Sequence, residues 1–253
     1  MKKRFLALLF VFVLMMSACT RTVIIDKGAS DKENQNNETQ EREEAPQKSE
    51  ETPLPVQSEE ENLLPEMSSG EKREVNIFLS NFSEAGYDPT SGYFSQDEAL
   101  INFAFTHVYI NSSSKVVAED GYMGISASDT DAVLKRFFGK TVPHKTPAGS
   151  KIWIFRNNSF VIPVATGDSY GSFSIATKMR LRQDGNYEVD FNVYNDPEIV
   201  GGDKITDKTI YSLLDSQAAA KYDLIGRGIA VLKPKKHNGE ETYEIVSYLV
   251  EDY

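Results

Sequence analysis

The stretch that decides the fold is FSIATKMRLRQDGNYEVDFNV, residues 173–193, in which apolar and polar residues alternate on both sides of a turn. Such a period of two predicts a β-hairpin. A two-residue turn would pair Leu181 with Glu188 and mix the core and solvent faces. A three-residue loop that ends at Gly185, in the left-handed conformation, instead pairs Leu181 with Tyr187. The same register predicts three further pairs: Met179 with Val189, Arg180 with Glu188, and Lys178 with Asp190.

A second hairpin is predicted upstream, where residues 152–155 and 160–164 flank Asn157-Asn158. Two asparagines tolerate the positive φ angles of a type I′ turn, which joins two strands tightly. Both faces of this hairpin are apolar, so we expect it to be central in the sheet. Its aromatic side chains are interpreted as core residues and not as a sugar-binding platform: Trp153, Phe155 and Phe160.

A third hairpin is predicted at the end of the sequence, where residues 229–236 and 241–250 flank Asn238-Gly239. Asn-Gly between two apolar stretches is a strong hairpin signal. The expected register has two named pairs: Leu232 with Ile245, and Lys233 with Glu244.

Helices are predicted in the first half of the same region. Ser95 and Glu98 form a capping box, and the apolar residues after it recur at helical spacing to about Ile110. A second helix is predicted to begin at Ser128 and to end at Gly139. Apolar positions at 75, 78, 79 and 82 indicate a third helix over residues 75–82.

Helices followed by hairpins predict an α+β fold, with N-terminal helices packed on one face of a mostly antiparallel, hairpin-built sheet of five or six strands. We expect one globular domain over residues 74–253. Aromatic residues support this boundary, because none lies between Thr20 and Arg73.

The head of the chain has the pattern of an export signal. Lys2, Lys3 and Arg4 precede an uncharged stretch over residues 5–18, which is shorter than the roughly 20 residues of a typical membrane-spanning helix. Small residues then precede the only cysteine, in Met16-Ser17-Ala18-Cys19. This arrangement resembles the lipobox of bacterial lipoproteins, although leucine is commoner at the position of Met16.

The lipobox resemblance implies a signal peptide over residues 1–18 and a diacylated Cys19, carrying chains such as palmitate, as the new N-terminus. Two acyl chains anchor a protein stably, because each buried CH₂ contributes about 0.8 kcal/mol. We therefore expect a protein at the cell membrane, lipid-anchored on its extracytoplasmic face. The membrane is then a partner through the N-terminal lipid, and no thiol remains for a disulfide, a nucleophile or a metal.

Residues 19–73 are expected to be a disordered acidic linker behind the lipid. The stretch from Thr20 to Gly70 has 13 acidic and 5 basic residues and is rich in Glu, Gln, Asn, Ser and Pro. Such a composition buries too little apolar surface to offset the entropy cost of ordering the chain. Its predicted role is that of a tether.

Composition excludes several classes of protein. The net charge of −11 argues against a strongly basic nucleic-acid binder, and one cysteine argues against a disulfide scaffold. The three histidines, His107, His144 and His237, have no metal-binding spacing, so neither a metal nor a cofactor is predicted.

Two weak catalytic candidates remain, Ser169 and His107. Ser169 lies in Gly167-Asp168-Ser169-Tyr170-Gly171, which matches the G-x-S-x-G pattern of a nucleophile elbow. That elbow requires a helix after the serine, whereas residues 173–179 alternate like a strand. His107 lies on the apolar stripe of its helix and is interpreted as a boundary histidine hydrogen-bonded to the sheet, or else as a titrating group that opens into a cleft.

Short phrases of the domain are similar to those of uncharacterised lipoproteins of Gram-positive bacteria: FLSNFSE over residues 78–84, KRFFGK over 135–140 and GRGIAVLK over 226–233. The resemblance implies location and no activity. We expect a non-enzymatic domain that binds a small molecule or a cell-envelope component, and the alternative is a cell-envelope hydrolase. The oligomeric state stays open.

Overall fold

A computed structural model describes residues 61–90, 92–164, 170–200 and 203–252. Within them, helices and antiparallel strands form a mixed α+β fold. The helices are α1 (Ser69–Glu84), α2 (Gln96–Asn111), α3 (Ala127–Phe138) and α4 (Asp215–Ala219). The strands are β1 (Val117–Glu119), β2 (Tyr122–Ser126), β3 (Ile154–Arg156), β4 (Ser159–Pro163), β5 (Ser172–Leu181), β6 (Tyr187–Asn195), β7 (Asp223–His237) and β8 (Glu240–Asp252).

The described strands form two sheets of four instead of the expected single sheet of five or six. One has the order β1-β2-β4-β3 and the other β5-β6-β7-β8. The difference arises because the chain between α2 and α3 also forms a hairpin, which pairs β2 with β4. As a result, β4 is a central strand and β3 is an edge strand. Only one of the two strands of the hairpin around Asn157-Asn158 is therefore central, whereas both were expected to be.

The predicted hairpin registers are confirmed. Leu181 lies opposite Tyr187 and Met179 opposite Val189, and the loop between them ends at Gly185 with φ of 79°. Both residues of the Asn157-Asn158 turn have positive φ. In the third hairpin, the two expected pairs are present: Leu232 with Ile245, and Lys233 with Glu244.

The capping box of α2 is confirmed, whereas the start of α3 differs from the prediction. The cap of α3 is Ser126, whose hydroxyl accepts from the Asp129 N–H at 3.0 Å, and not Ser128. Ser126 caps the helix because β2 continues directly into it. The end of α3 at Gly139 is confirmed, in the left-handed conformation with φ of 65°.

Ordered structure begins before residue 74. Ser68 and Glu71 form a capping box at the start of α1, so this helix begins at Ser69. Leu64 is buried in the core ahead of it. The predicted boundary at residue 74 is too late because it was based on aromatic residues, and this stretch contains none.

The main core lies between the three long helices and both sheets. Its centre is an aromatic cluster in which the Phe82 ring contacts Phe103 at 4.8 Å and Tyr248 at 5.1 Å between centroids. Trp153 and Phe160 are fully buried in the same core, as expected for core residues. A smaller cluster covers the opposite face of β5 and β6, with Tyr194 and Tyr211 among its members.

One edge of the second sheet is closed by side chains of α1. The Ala176 N–H donates to Asn76 Oδ1 at 2.8 Å, and the Ser174 N–H donates to Ser80 Oγ at 2.9 Å. The segment before α1 closes the far end of the same edge: Met179 N–H donates to Asn62 Oδ1 at 3.1 Å, and Leu63 N–H donates to the Met179 carbonyl at 2.8 Å.

None of the helices in the described ranges combines the length and the apolar character needed to span a bilayer.

Candidate functional site

The β7–β8 hairpin extends past the rest of its sheet. Strand β6 begins at Tyr187, opposite Leu232, so β7 beyond that point pairs with β8 alone. Pro234 lies in this part of β7 and faces no β6 partner, which is why a residue without an N–H is tolerated inside a long strand. We call residues 233–237 and 240–244 the overhang.

A cavity of about 660 Å³ opens between the overhang, the first turns of α1 and the segment that precedes α1. We call this cavity the tyrosine groove. Its volume lies in the range of small-molecule sites in proteins. Its lining residues come from four separate parts of the chain: Leu63, Met67, Gly70, Glu71, Glu74, Met179, Tyr187, Pro234, Lys235, Lys236, Glu241, Thr242 and Tyr243.

The floor of the groove is aromatic and apolar. The rings of Tyr187 and Tyr243 meet edge to face with centroids 6.3 Å apart, and the Tyr243 ring also contacts Phe78 at 5.7 Å. Met67 and Met179 complete the floor and are packed against the main core. The floor is therefore held by the folded core.

The rim of the groove is charged, with the carboxylates of Glu71, Glu74 and Glu241 and the amines of Lys235 and Lys236. Burial raises the pKa of the Tyr243 phenol to about 12, and the neighbouring Tyr187 and the three carboxylates act in the same direction. Tyr243 therefore stays protonated at neutral pH.

Two rim groups have fixed positions. The Lys235 amine donates to the Lys135 carbonyl at 2.9 Å and lies 3.3 Å from Glu244 Oε2, which ties the overhang to the last turn of α3. Glu71 Oε2 accepts from the Ser68 N–H at 2.8 Å. The Ser68 hydroxyl and N–H lower the pKa of Glu71, so this carboxylate is ionised at neutral pH.

An aromatic floor beside carboxylates is suited to binding a partly apolar ligand that carries a positive charge. Rings of tyrosine attract cations through their negative faces, and the rim carboxylates add ordinary charge attraction. No group of three or more potential metal ligands occurs among the residues that the structure describes.

His107 lies away from the groove, and its expected hydrogen bond to the sheet is wrong. Its Nδ1 lies 2.8 Å from Asn81 Oδ1 on α1, and its ring packs 4.8 Å from Phe137. Burial, with a smaller effect of the positive charge on Arg136, lowers the pKa of His107 to about 4. The imidazole is therefore neutral at physiological pH and joins α1 to α2 between aromatic rings.

The other two predicted site residues, Cys19 and Ser169, lie outside the described residues. Their expected roles in lipidation and nucleophilic attack stay predictions.

Sequence reasoning missed both the groove and a second polar contact. His144 Nε2 lies 3.2 Å from Asp131 Oδ2, a pair that joins the loop after α3 to the start of that helix. Tyr187 and Tyr243 look like ordinary strand residues when each is taken alone. Pro234 was the available signal, because a proline within a strand pattern marks a place where the sheet ends.

Comparison with models of known protein families, with curated proteins and with solved structures gives no match to this chain.

Proposed function

We propose that this chain is a lipoprotein on the extracytoplasmic face of the cell membrane, anchored by a lipid on Cys19, and that its domain binds a ligand in the tyrosine groove. The lipobox-like sequence before Cys19 supports the anchor. The acidic segment between the anchor and the domain acts as a tether that holds the groove away from anionic lipid.

The observation that carries the binding role is the construction of the groove. Tyr187 and Tyr243 are set at right angles on a core-supported floor, and the carboxylates stand at the opening. The proposed ligand class is a small molecule or envelope fragment with an apolar body and a cationic group. The apolar body would cover the floor, and the cation would lie between the Tyr243 ring and Glu74.

The binding role is tested by calorimetric titration of the full-length chain with benzyltrimethylammonium, with benzoate as the anionic counterpart. We expect the cation to bind and benzoate to bind at least tenfold more weakly. Tyr243→Leu keeps apolar bulk and removes the ring, so it should weaken cation binding about fivefold to tenfold, in line with about 1 kcal/mol for one cation–π contact. Leu214→Ala, an exposed residue outside the groove, is the matched control and should change nothing.

Equal binding of the two probes, or cation binding that Tyr243→Leu leaves unchanged, would contradict the assignment of the groove. Thermal unfolding of each variant establishes that the fold is retained.

The anchor has a separate test. Intact-mass analysis of protein extracted from membranes should show an acylated chain that begins at residue 19. Cys19→Ala should release the chain from membranes into the soluble fraction outside the cell, because no acyl chain then holds it. Retention of an unmodified chain in the cytosol would contradict the anchor.

The alternative function, an envelope hydrolase, rests on Ser169 in its G-x-S-x-G sequence. A fluorophosphonate probe distinguishes the two functions. Labelling of the full chain that is lost in Ser169→Ala would favour the hydrolase over the binding role.

A further inference from the structure

The second sheet has two edge strands, β5 and β8, and only the first is covered by side chains of a helix. Among the described residues, the backbone hydrogen bonds of β8 run to β7 alone. A strand of this length with an open edge offers a row of N–H and C=O groups to another extended chain. The edge of β8 is thus available for pairing in a way that the edge of β5 is not.

The open edge divides into two parts at a β-bulge. Val231 lies opposite Ser247 but Leu232 lies opposite Ile245, so Val246 is an extra residue in β8. Before the bulge, the end of α3 covers the strand, because Gly139 lies directly against the Glu244 side chain. After the bulge, the stretch from Ser247 to Asp252 is uncovered. We call it the β8 edge.

Side chains on both faces of the β8 edge are suited to a paired strand. On the outer face, Leu249 is 44% exposed and lies opposite Ile229, which is 47% exposed. On the other face, Val250 borders a cavity of about 220 Å³ that Tyr87 and Asp88 also line. A strand laid beside β8 would set one side chain against Leu249 and the next, on the other face, near this cavity.

The charge of the β8 edge indicates what kind of strand can pair with it. The β8 edge itself contains two acidic residues, Glu251 and Asp252, and no basic residue. A second copy is disfavoured, because parallel pairing would set each acid beside its equivalent and antiparallel pairing over residues 247–252 would give the acids no basic partner. A basic strand would have favourable charge at the end of the edge that contains Glu251 and Asp252, and Asp88 adds a further carboxylate beside the cavity.

We propose that the β8 edge binds an extended segment of another polypeptide, in which basic and apolar residues alternate, by adding it as a fifth strand to the second sheet. The main-chain hydrogen bonds of the added strand supply affinity, and its alternating side chains supply specificity. This interaction is separate from ligand binding in the tyrosine groove and does not depend on it.

The test uses the full-length chain and three capped heptapeptides labelled with a fluorophore. The first alternates lysine and valine, the second alternates glutamate and valine, and the third is the lysine peptide with an N-methyl group on every amide, which blocks both edges of a strand. By fluorescence anisotropy we expect the lysine peptide to bind at least tenfold more tightly than either of the others. Equal binding of the N-methylated peptide would overturn strand addition, because only charge attraction would then remain.

Two exposed leucines at strand ends give a matched pair of variants. Leu249→Lys places a positive charge in the β8 edge and should weaken binding of the lysine peptide at least tenfold. Leu181→Lys, at the end of β5, should change binding less than twofold, since that residue is 56% exposed and distant in the sheet order. An equal loss in both variants would overturn the location.

Hydrogen exchange gives a direct readout of the location. Amides within 247–252 should become protected when the lysine peptide binds, while Tyr243→Leu, in the groove, should leave peptide affinity unchanged. Protection confined to other strands would overturn the proposal. Self-association of the full chain that Leu249→Lys abolishes would replace the proposed partner with a second copy.

Discussion

The two edges of the second sheet are treated in opposite ways. The edge of β5 is closed by Asn76 and Ser80 of α1, whose side chains bond its backbone directly. The uncovered part of β8 has no such cover among the described residues. It carries the exposed Leu249 on its outer face, and the exposed bulge residue Val246 directly precedes it. Polar side chains on a helix can thus complete a sheet as a further strand would, and the proposed added strand would lie at the edge without them.

The largest expected effect is at the closed edge, in Asn76→Leu. Asn76 accepts from the Ala176 N–H at 2.8 Å and donates to the Tyr211 carbonyl at 2.9 Å, and only 4% of it is exposed. Leucine has similar volume but leaves both backbone groups unsatisfied. At about 2 kcal/mol for each buried group, the free energy of unfolding should fall by about 4 kcal/mol, measured by urea denaturation. A fall below about 1 kcal/mol would show that α1 does not close the edge.

The next largest effect on stability is expected at the other side of α1, where Asn81 is hydrogen-bonded to His107. The pKa of His107 is lowered to about 4, so the neutral imidazole stabilises the fold at pH above its unfolded value of 6.5. Protonation favours the unfolded chain as the pH falls, and the wild type should lose about 3 kcal/mol of unfolding free energy between pH 6.5 and pH 4. The variant His107→Gln removes the titrating group, so its loss over the same interval should be smaller by that amount in denaturant titrations.

Glu84, on the same helix, is expected to give a smaller pH dependence of the free energy of unfolding, with the opposite sign. Burial raises the pKa of Glu84 above 4.5, while the bond from the Tyr211 hydroxyl and the charges of Lys208 and Lys204 partly offset this effect. A raised pKa favours the protonated folded state, so the stabilisation is complete below pH 4.5 and is lost as the pH rises through the folded value. Relative to Glu84→Gln, the wild type should become more stable as the pH falls from 7 to 4.5. A difference that does not vary with pH would show that Glu84 titrates normally.

The smallest effect is expected at the open edge. Val246→Lys replaces a bulge residue that is 56% exposed, so the free energy of unfolding should change by no more than about 0.5 kcal/mol. Urea denaturation of this variant beside Asn76→Leu measures the difference between the two edges. A loss above about 2 kcal/mol in Val246→Lys would mean that β8 is covered at its bulge in the folded protein.

Local features of the fold were predictable from the sequence. Face consistency alone determined the pairing of Leu181 with Tyr187, because a one-residue slip exposes a whole row of apolar side chains. The start of α2 at Ser95 and the end of α3 at Gly139 followed from side-chain and backbone chemistry within one turn of helix.

The division into two sheets was not predictable in the same way. It depends on the pairing of Gly124 in β2 with Val161 in β4, two strands separated by a whole helix. A Cβ at Gly124 would clash with the Phe160 carbonyl oxygen, so the two strands can approach this closely only at a glycine. An isolated glycine in a strand pattern does not, however, indicate which strand it pairs with.

The candidate site was hidden for a related reason. The tyrosine groove joins the segment before α1 to Tyr187 and Tyr243, which lie more than a hundred residues further along the chain. Each of these residues satisfies an ordinary strand or helix pattern in its own neighbourhood. Their juxtaposition follows from how far β7 outruns β6, a length that no short-range pattern contains.

The tip of the overhang, around Asn238-Gly239, pairs with no strand of the sheet other than its own partner. An insertion or deletion of two residues in each arm there would lengthen or shorten one wall of the groove and leave the aromatic cluster of the core untouched. Changes of hairpin length can therefore reshape the groove at almost no cost to the stability of the rest of the molecule.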